Sequence, residues 1–155
     1  MRKVFAGLAS LLMLAVVAQF FLAGSGAFDT ASNEESFQAH RALGYGIVLF
    51  AVLMTLVAAL ARMPGRLIGM TGLVAGLVVL QGVIRAIASA FGDAGDNTTA
   101  GQLIFGLHAV NALVIMAVAG MIVRKARELS GSAVPARRAG AGDGTRASEP
   151  AAPGP

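Results

Sequence analysis

The chain has no cysteine and no tryptophan, and a single tyrosine, in 155 residues. Without cysteine it forms no disulfide, no thiolate nucleophile, no cysteine-ligated iron–sulfur cluster and no covalent c-type haem link. Histidine is nearly as scarce, with His40 and His108 the only two. Charge is low as well: 13% of the residues are charged, against about 25% in soluble globular domains. Hydrophobic residues make up 56% and the mean hydropathy is +0.74, which argues against a water-soluble fold. The net charge of +4 does not point to nucleic acid. Its basic residues sit beside apolar segments, as membrane topology requires, and no basic surface interleaved with aromatics appears. Paired carboxylates, zinc-ligand spacings, a nucleophile elbow and a phosphate-binding loop are all missing, so no hydrolase or nucleotide enzyme is expected. The seven methionines are scattered without a copper-binding spacing.

What the chain does have is long apolar runs. A membrane-crossing helix needs about 20 mainly apolar residues. Four segments meet this: Val4 to Ala23, Ala42 to Ala61, Leu67 to Phe91 and Leu103 to Val123. They predict an all-α, antiparallel four-helix membrane bundle in residues 1–129. Ser32-Asn33-Glu34-Glu35 fits a capping box, and Asn97-Thr98-Thr99 supplies caps before the fourth span. Pro64-Gly65 breaks the chain between spans two and three. Residues 130–155 are rich in Gly, Ala and Pro without apolar periodicity and read as a disordered cytoplasmic tail.

Positive charge sets the expected orientation. With the N-terminus inside, Arg2, Lys3, Arg62, Arg66, Arg124, Lys125, Arg127, Arg137, Arg138 and Arg146 are cytoplasmic, which is 10 of the 12 basic residues. Asp29, Glu34, Glu35, Asp93 and Asp96 fall in the outer loops. Both termini are therefore expected on the cytoplasmic side of the cell membrane. A rival reading has a secretory signal ending at Ala27. Signal cores usually run about 7–15 residues, so the longer run from Val4 is taken as an uncleaved span. Cleavage would leave three spans.

Polar groups inside a membrane are costly and mark candidate sites. Gln19 lies near the outer end of span one, and His40 and Arg41 at the outer end of span two. Gln81 and Arg85 lie in the outer half of span three, His108 and Asn111 in that of span four. These residues define one polar layer near the outer leaflet. The pattern repeats: Gln19, an outer loop, then Phe37-x-x-His40; Gln81, an outer loop, then Phe105-x-x-His108. Such hairpins would be related by an axis along the membrane normal, a parallel repeat.

Helices starting near Asn33 and Thr99 would put His40 and His108 about 10 Å and 14 Å below their outer ends, at about 1.5 Å per residue. In an up-down bundle, spans two and four are diagonal, with axes about 11–14 Å apart when neighbours are about 8–10 Å apart. Two imidazoles facing across that diagonal are placed to ligate one haem iron from both sides, which favours electron transfer over oxygen binding. Haem b is thus the expected cofactor, with His40 and His108 as metal ligands. Gly44, and Gly82 and Gly106 at comparable depth, would let a flat macrocycle approach the backbone. Arg41 and Arg85 would pair with propionates, and Gln19, Gln81 or Asn111 would bond a ligand or fix a histidine tautomer.

Simpler readings compete. His40 at the interface can be hydrated or can pair with Glu34 or Glu35, and Asn111 can satisfy His108 in a structural network. Arg85 can snorkel outward to Asp93. The rival functional class is a non-enzymatic membrane protein, either an accessory subunit or a binder of lipid or quinone. A transporter is less well supported, because no span carries a buried carboxylate. Expected partners are the lipid bilayer and, on the haem reading, a redox partner. Whether the chain is an enzyme stays open.

The stretches AQFFLAGSGAF, FQAHRALGYG, LQGVIR and LHAVNAL resemble an uncharacterised family of small four-span membrane proteins typical of actinobacteria. The resemblance covers roughly residues 4 to 125. More distantly, HRALG from His40 to Gly44, the Gln81-Gly82 pair and LHAVNAL resemble one four-helix half of haem A synthase. In that family each half carries one histidine on its second helix and one on its fourth, which match His40 and His108. The resemblance implies haem ligation by this pair. Only one half is present, so a two-site catalyst would require a homodimer. The acidic residue that family places about one turn before its first histidine is missing, and Glu35 is the nearest.

Overall fold

A computed structural model describes residues 1–91 and 98–131. Each apolar run forms a long helix: α1 (Arg2–Ala27), α3 (Gln38–Leu60), α4 (Gly65–Ala90) and α5 (Thr99–Gly131). A single turn, α2 (Asn33–Ser36), precedes α3, and no strand occurs among the described residues. All four long helices are long and apolar enough to cross a membrane. The expected all-α four-helix membrane bundle is therefore the observed architecture, and the chain is a multi-pass membrane protein.

The helices pack in a ring. α1 lies against α3 and α5, α4 lies against α3 and α5, and neither diagonal pair packs directly. Short side chains at Ala9, Ala51, Ala58, Ala119 and Ala126 let the backbones approach, as in membrane bundles that lack a hydrophobic drive between helices. Phe5, Leu12, Met54, Val74 and Ile122 fill the remaining space and are at most 1% exposed. Because α1 supplies Phe5, Ala9, Leu12 and Val16, it is an integral wall of this bundle. The outward faces carry Leu14, Leu49, Leu53, Val83, Leu107 and Leu113, all exposed. In an apolar solvent those faces need no further cover.

The break between α3 and α4 is a Schellman motif. Met63 N–H donates to the Ala58 carbonyl at 2.9 Å and Arg62 N–H to the Ala59 carbonyl at 3.0 Å. Arg62 takes the left-handed conformation, with φ 49°, at the position usually held by glycine. Pro64, unable to continue a helix, follows and then caps α4.

The outer entry differs from expectation. Ser32 is an N-cap and its hydroxyl accepts from Glu35 N–H at 3.4 Å, but it caps α2 and not the span. The chain turns again at Phe37 before α3 begins. His40 therefore lies two residues into α3 and His108 nine into α5. Depth counted from each helix start does not compare them, because α5 starts farther out than α3. At the second outer loop Thr98 caps α5, accepting from Gly101 N–H at 3.1 Å and donating to the Phe91 carbonyl at 2.7 Å. Asn97, Asp93 and Asp96 lie outside the described residues, as do residues 132–155 of the expected tail; Ser130 and Gly131 belong to α5.

The antiparallel order gathers Arg2, Lys3, Arg62, Arg66, Arg124, Lys125 and Arg127 at one end of the bundle. There Arg127 reaches the Ser10 hydroxyl at 3.4 Å, tying α5 to α1. The Lys125–Glu128 pair at 2.9 Å is exposed and contributes little.

Candidate functional site

In the basic half of the bundle the two span threonines turn back on their own helices. Thr55 bonds back to the Ala51 carbonyl at 2.8 Å, and Thr71 to those of Leu67 and Ile68 at 3.2 and 2.9 Å. Each hydroxyl spends its proton within its own helix. The opposite half behaves differently.

There the imidazoles of His40 and His108 approach across the diagonal of the ring, with centroids 6.2 Å apart and planes inclined at 46°. The helices that carry them do not pack on each other. The two side chains close the gap between non-adjacent helices. A metal–imidazole nitrogen bond is about 2.0–2.1 Å, and a ring nitrogen lies about 1 Å from its centroid, so two imidazoles on opposite sides of one ion have centroids about 6 Å apart. The observed spacing matches that distance.

Each imidazole leans on a phenylalanine one turn before it. Phe37 meets His40 edge-on at 6.1 Å, and Phe105 stacks on His108 at 5.2 Å with planes 10° apart. The repeated Phe-x-x-His motif is thus realised as a ring pair in both hairpins. Helical spacing explains it, since residues three apart share a face.

The hydrogen bonds around the two rings are not equally well formed. His40 Nδ1 lies 3.2 Å from the Gln19 backbone carbonyl. A carbonyl oxygen only accepts, so Nδ1 carries the proton in this bond; in the tautomer it selects, Nε2 is the acceptor nitrogen. His108 Nδ1 is buried without a well-formed hydrogen bond, while the Gln81 backbone still acts on the ring. Asn111 does not satisfy it: its amide donates to the Leu77 carbonyl at 2.9 Å, crossing to α4. Gln81 crosses the other way, donating from Nε2 to the His108 backbone carbonyl at 3.0 Å. The carboxamide oxygens of Gln19 and Gln81 are also buried without partners. Three buried polar atoms without a well-formed bond in one layer are a concentration that a folded chain rarely leaves unanswered.

The remaining expected residues are placed less centrally. Arg41 donates to the Glu34 backbone carbonyl, bracing α2 against α3; the expected pairing of His40 with Glu34 or Glu35 does not form among the described residues. Arg85 is exposed, one turn beyond Gln81 on α4. Gly44 does provide clearance, but the space is used by Gln19: a Cβ there would stand 3.1 Å from its amide nitrogen. Gly82 and Gly106 are exposed with nothing within 4 Å of a Cβ, so they face away from the packed interior. The Gln19 and Leu77 carbonyls were not foreseeable, because every residue has a carbonyl and only three-dimensional packing selects one.

The donor set bears on what metal group fits. No group of three or more His, Cys, Asp or Glu that could hold a metal ion occurs among the described residues. A bare cation would be left short of the three or four protein ligands usual for zinc. Two imidazole nitrogens suit a metal that brings an equatorial ring of ligands and lacks two axial ones. A haem fits this pair by donor number and spacing.

A family of unknown function, DUF6220, matches residues 19–90. That match takes in Gln19, His40 and Gln81 and stops before α5, so it includes one histidine of the pair and not the other. No curated protein and no solved structure matches the chain.

Proposed function

We propose that this membrane protein holds a b-type haem between His40 and His108 near the outer leaflet and carries electrons. The observation that supports it is the 6.2 Å separation of two imidazoles supplied by non-adjacent helices. The Nδ1–H of His40 on the Gln19 carbonyl adds to it, since ligating histidines commonly donate their second nitrogen to a backbone carbonyl or a carboxylate. When bound, the haem supplies one-electron chemistry. The chain orients two imidazoles, sets Phe37 and Phe105 against them, and surrounds them with apolar walls. We also place both termini in the cytoplasm and the protein in the cell membrane, on the grouping of basic residues at one end. A redox partner follows from the reading.

The test is the reduced-minus-oxidised visible spectrum of protein purified in detergent after expression with adequate haem. Soret and α-band changes are expected, weakened in His108→Ala. No band in the wild-type protein overturns the proposal. A second reading, a lipid- or quinone-binding or accessory protein, is favoured by the unpaired oxygens of Gln19 and Gln81. Both are acceptors, and a quinol hydroxyl is a donor. Quinol-dependent protection of a haem-free preparation against thermal unfolding would support it.

A further inference from the structure

The end of the bundle opposite the imidazoles carries more charge than the protein itself answers. Arg2 and Lys3 open α1, Arg62 and Arg66 bracket the turn from α3 to α4, and Arg124, Lys125 and Arg127 lie near the end of α5. Glu128 is the only acid at this end among the described residues. It takes Lys125 at 2.9 Å and Arg124 at 3.9 Å, and Arg127 reaches the Ser10 hydroxyl. The side chains of Arg2, Lys3, Arg62 and Arg66 are exposed and have no hydrogen-bond or ion-pair partner among the described residues.

These four stand where the apolar runs stop. Arg2 and Lys3 precede the run that opens at Val4, Arg62 follows the run that ends at Ala61, and Arg66 precedes the run from Leu67. That register puts them at the level of the lipid headgroups. Retention of positive charge on one side of a membrane accounts for cations near span ends. It does not call for one in a strained turn. Arg62 holds φ 49°, where glycine is usual, and no side-chain contact within the described residues offsets that cost. Arg66, four residues on, lies in the first turn of α4.

We infer that this end docks anionic phospholipids of the leaflet it faces, with Arg62 and Arg66 taking their phosphates and Arg2 and Lys3 adding to the attraction. A guanidinium offers a planar pair of N–H donors that matches a phosphate. Each basic residue near an anionic lipid surface strengthens binding about fivefold, the equivalent of roughly 1 kcal/mol. None of these residues belongs to the histidine layer, so lipid docking does not depend on haem.

The experiment follows thermal unfolding of the full chain in detergent as phosphatidylglycerol, phosphatidylcholine of the same acyl chains, or inorganic phosphate is added. A ligand that binds the folded state raises the midpoint with its concentration, which gives an apparent affinity. Phosphatidylglycerol should raise it at concentrations where the other two do not, and less so as salt screens the charges. Arg62→Gly should bind phosphatidylglycerol about fivefold more weakly, and Arg62→Gly combined with Arg66→Gln about 25-fold. Without lipid, Arg62→Gly should unfold no earlier than wild type, so lost folding does not explain lost binding. Arg137, Arg138 and Arg146 stay in every variant, so the loss belongs to the turn. Equal rises with phosphatidylglycerol and phosphatidylcholine overturn the inference, as does an unchanged affinity in the double variant. A rise with inorganic phosphate that matches the one with phosphatidylglycerol overturns the lipid as the ligand.

Discussion

Asn111 donates its side-chain amide to the Leu77 carbonyl at 2.9 Å, while Gln81, one turn along from Leu77, donates back to the His108 carbonyl at 3.0 Å. The two bonds lace α4 to α5 in opposite directions beside the paired imidazoles. Interhelical side-chain bonds in membrane bundles contribute about 0.6 kcal/mol on average and at most about 1.7. Asn111→Ala should therefore lower stability by about 1 kcal/mol in a reversible detergent unfolding measurement. It should leave the ring resonances of His108 nearly unmoved, because the amide never served that ring. A large shift of those resonances would show that Asn111 bonds the imidazole after all.

Gly26 tests how the outer strap is held. A Cβ at this position would stand 2.7 Å from the Ser36 carbonyl oxygen and 3.1 Å from the Phe37 ring. The first is backbone, which cannot swing aside as a flexible side chain would. Gly26→Ala should cost about 1–3 kcal/mol through overpacking and shift α2, and with it Phe37 and His40. Gly24, two residues earlier on the same helix, has nothing within 4 Å of a Cβ. Gly24→Ala should be neutral or slightly stabilising, and comparable losses in the two variants would contradict the close approach at Gly26.

Arg62 sits at φ 49° in the turn between α3 and α4. A non-glycine residue in the left-handed region costs roughly 1 kcal/mol, a cost accepted here at a position where glycine is usual. Arg62→Gly should raise the unfolding midpoint slightly, by up to about 1 kcal/mol, because the left-handed strain it relieves exceeds glycine's larger loss of chain entropy. Arg62→Val should lower it, since a β-branched residue tolerates this conformation worst. Equal midpoints in the two variants would mean that the turn relaxes out of the motif.

Much of this was legible in the sequence because membrane solvent imposes simple rules. The apolar runs marked four spans, Pro64-Gly65 marked a break, and scarcity made the two histidines conspicuous. Their shared layer followed from counting along helices. The count misjudged where the span helix begins, because the capping signal at Ser32 belongs to a single separate turn that ends at Phe37. Polar side chains in the layer could be named but not paired. Asn111 lies close enough to His108 in sequence to serve it, and is drawn instead to a carbonyl on the next helix. Gly44 invited a cofactor by its missing side chain, and the bundle gives the space to Gln19. Sequence spacing identifies which faces are shared; which atoms meet across helices depends on rotation and tilt, which no local signal encodes.

The absence of cysteine makes the expected orientation directly measurable, since any single introduced thiol is the only one in the chain. Glu35 lies exposed on α2 at the end of the bundle nearest His40, and Gly65 lies exposed at the opposite end beside Arg66. Lys and Arg are retained on the cytoplasmic side, and Arg62 and Arg66 flank Gly65 while acidic residues surround Glu35. A membrane-impermeant maleimide added to intact cells should label Glu35→Cys and spare Gly65→Cys until the membrane is permeabilised. Any bacterial outer membrane must be made permeable to the reagent beforehand. The reverse pattern would invert the topology and put the histidine pair near the inner leaflet, where a donor on the cytoplasmic side would be its neighbour.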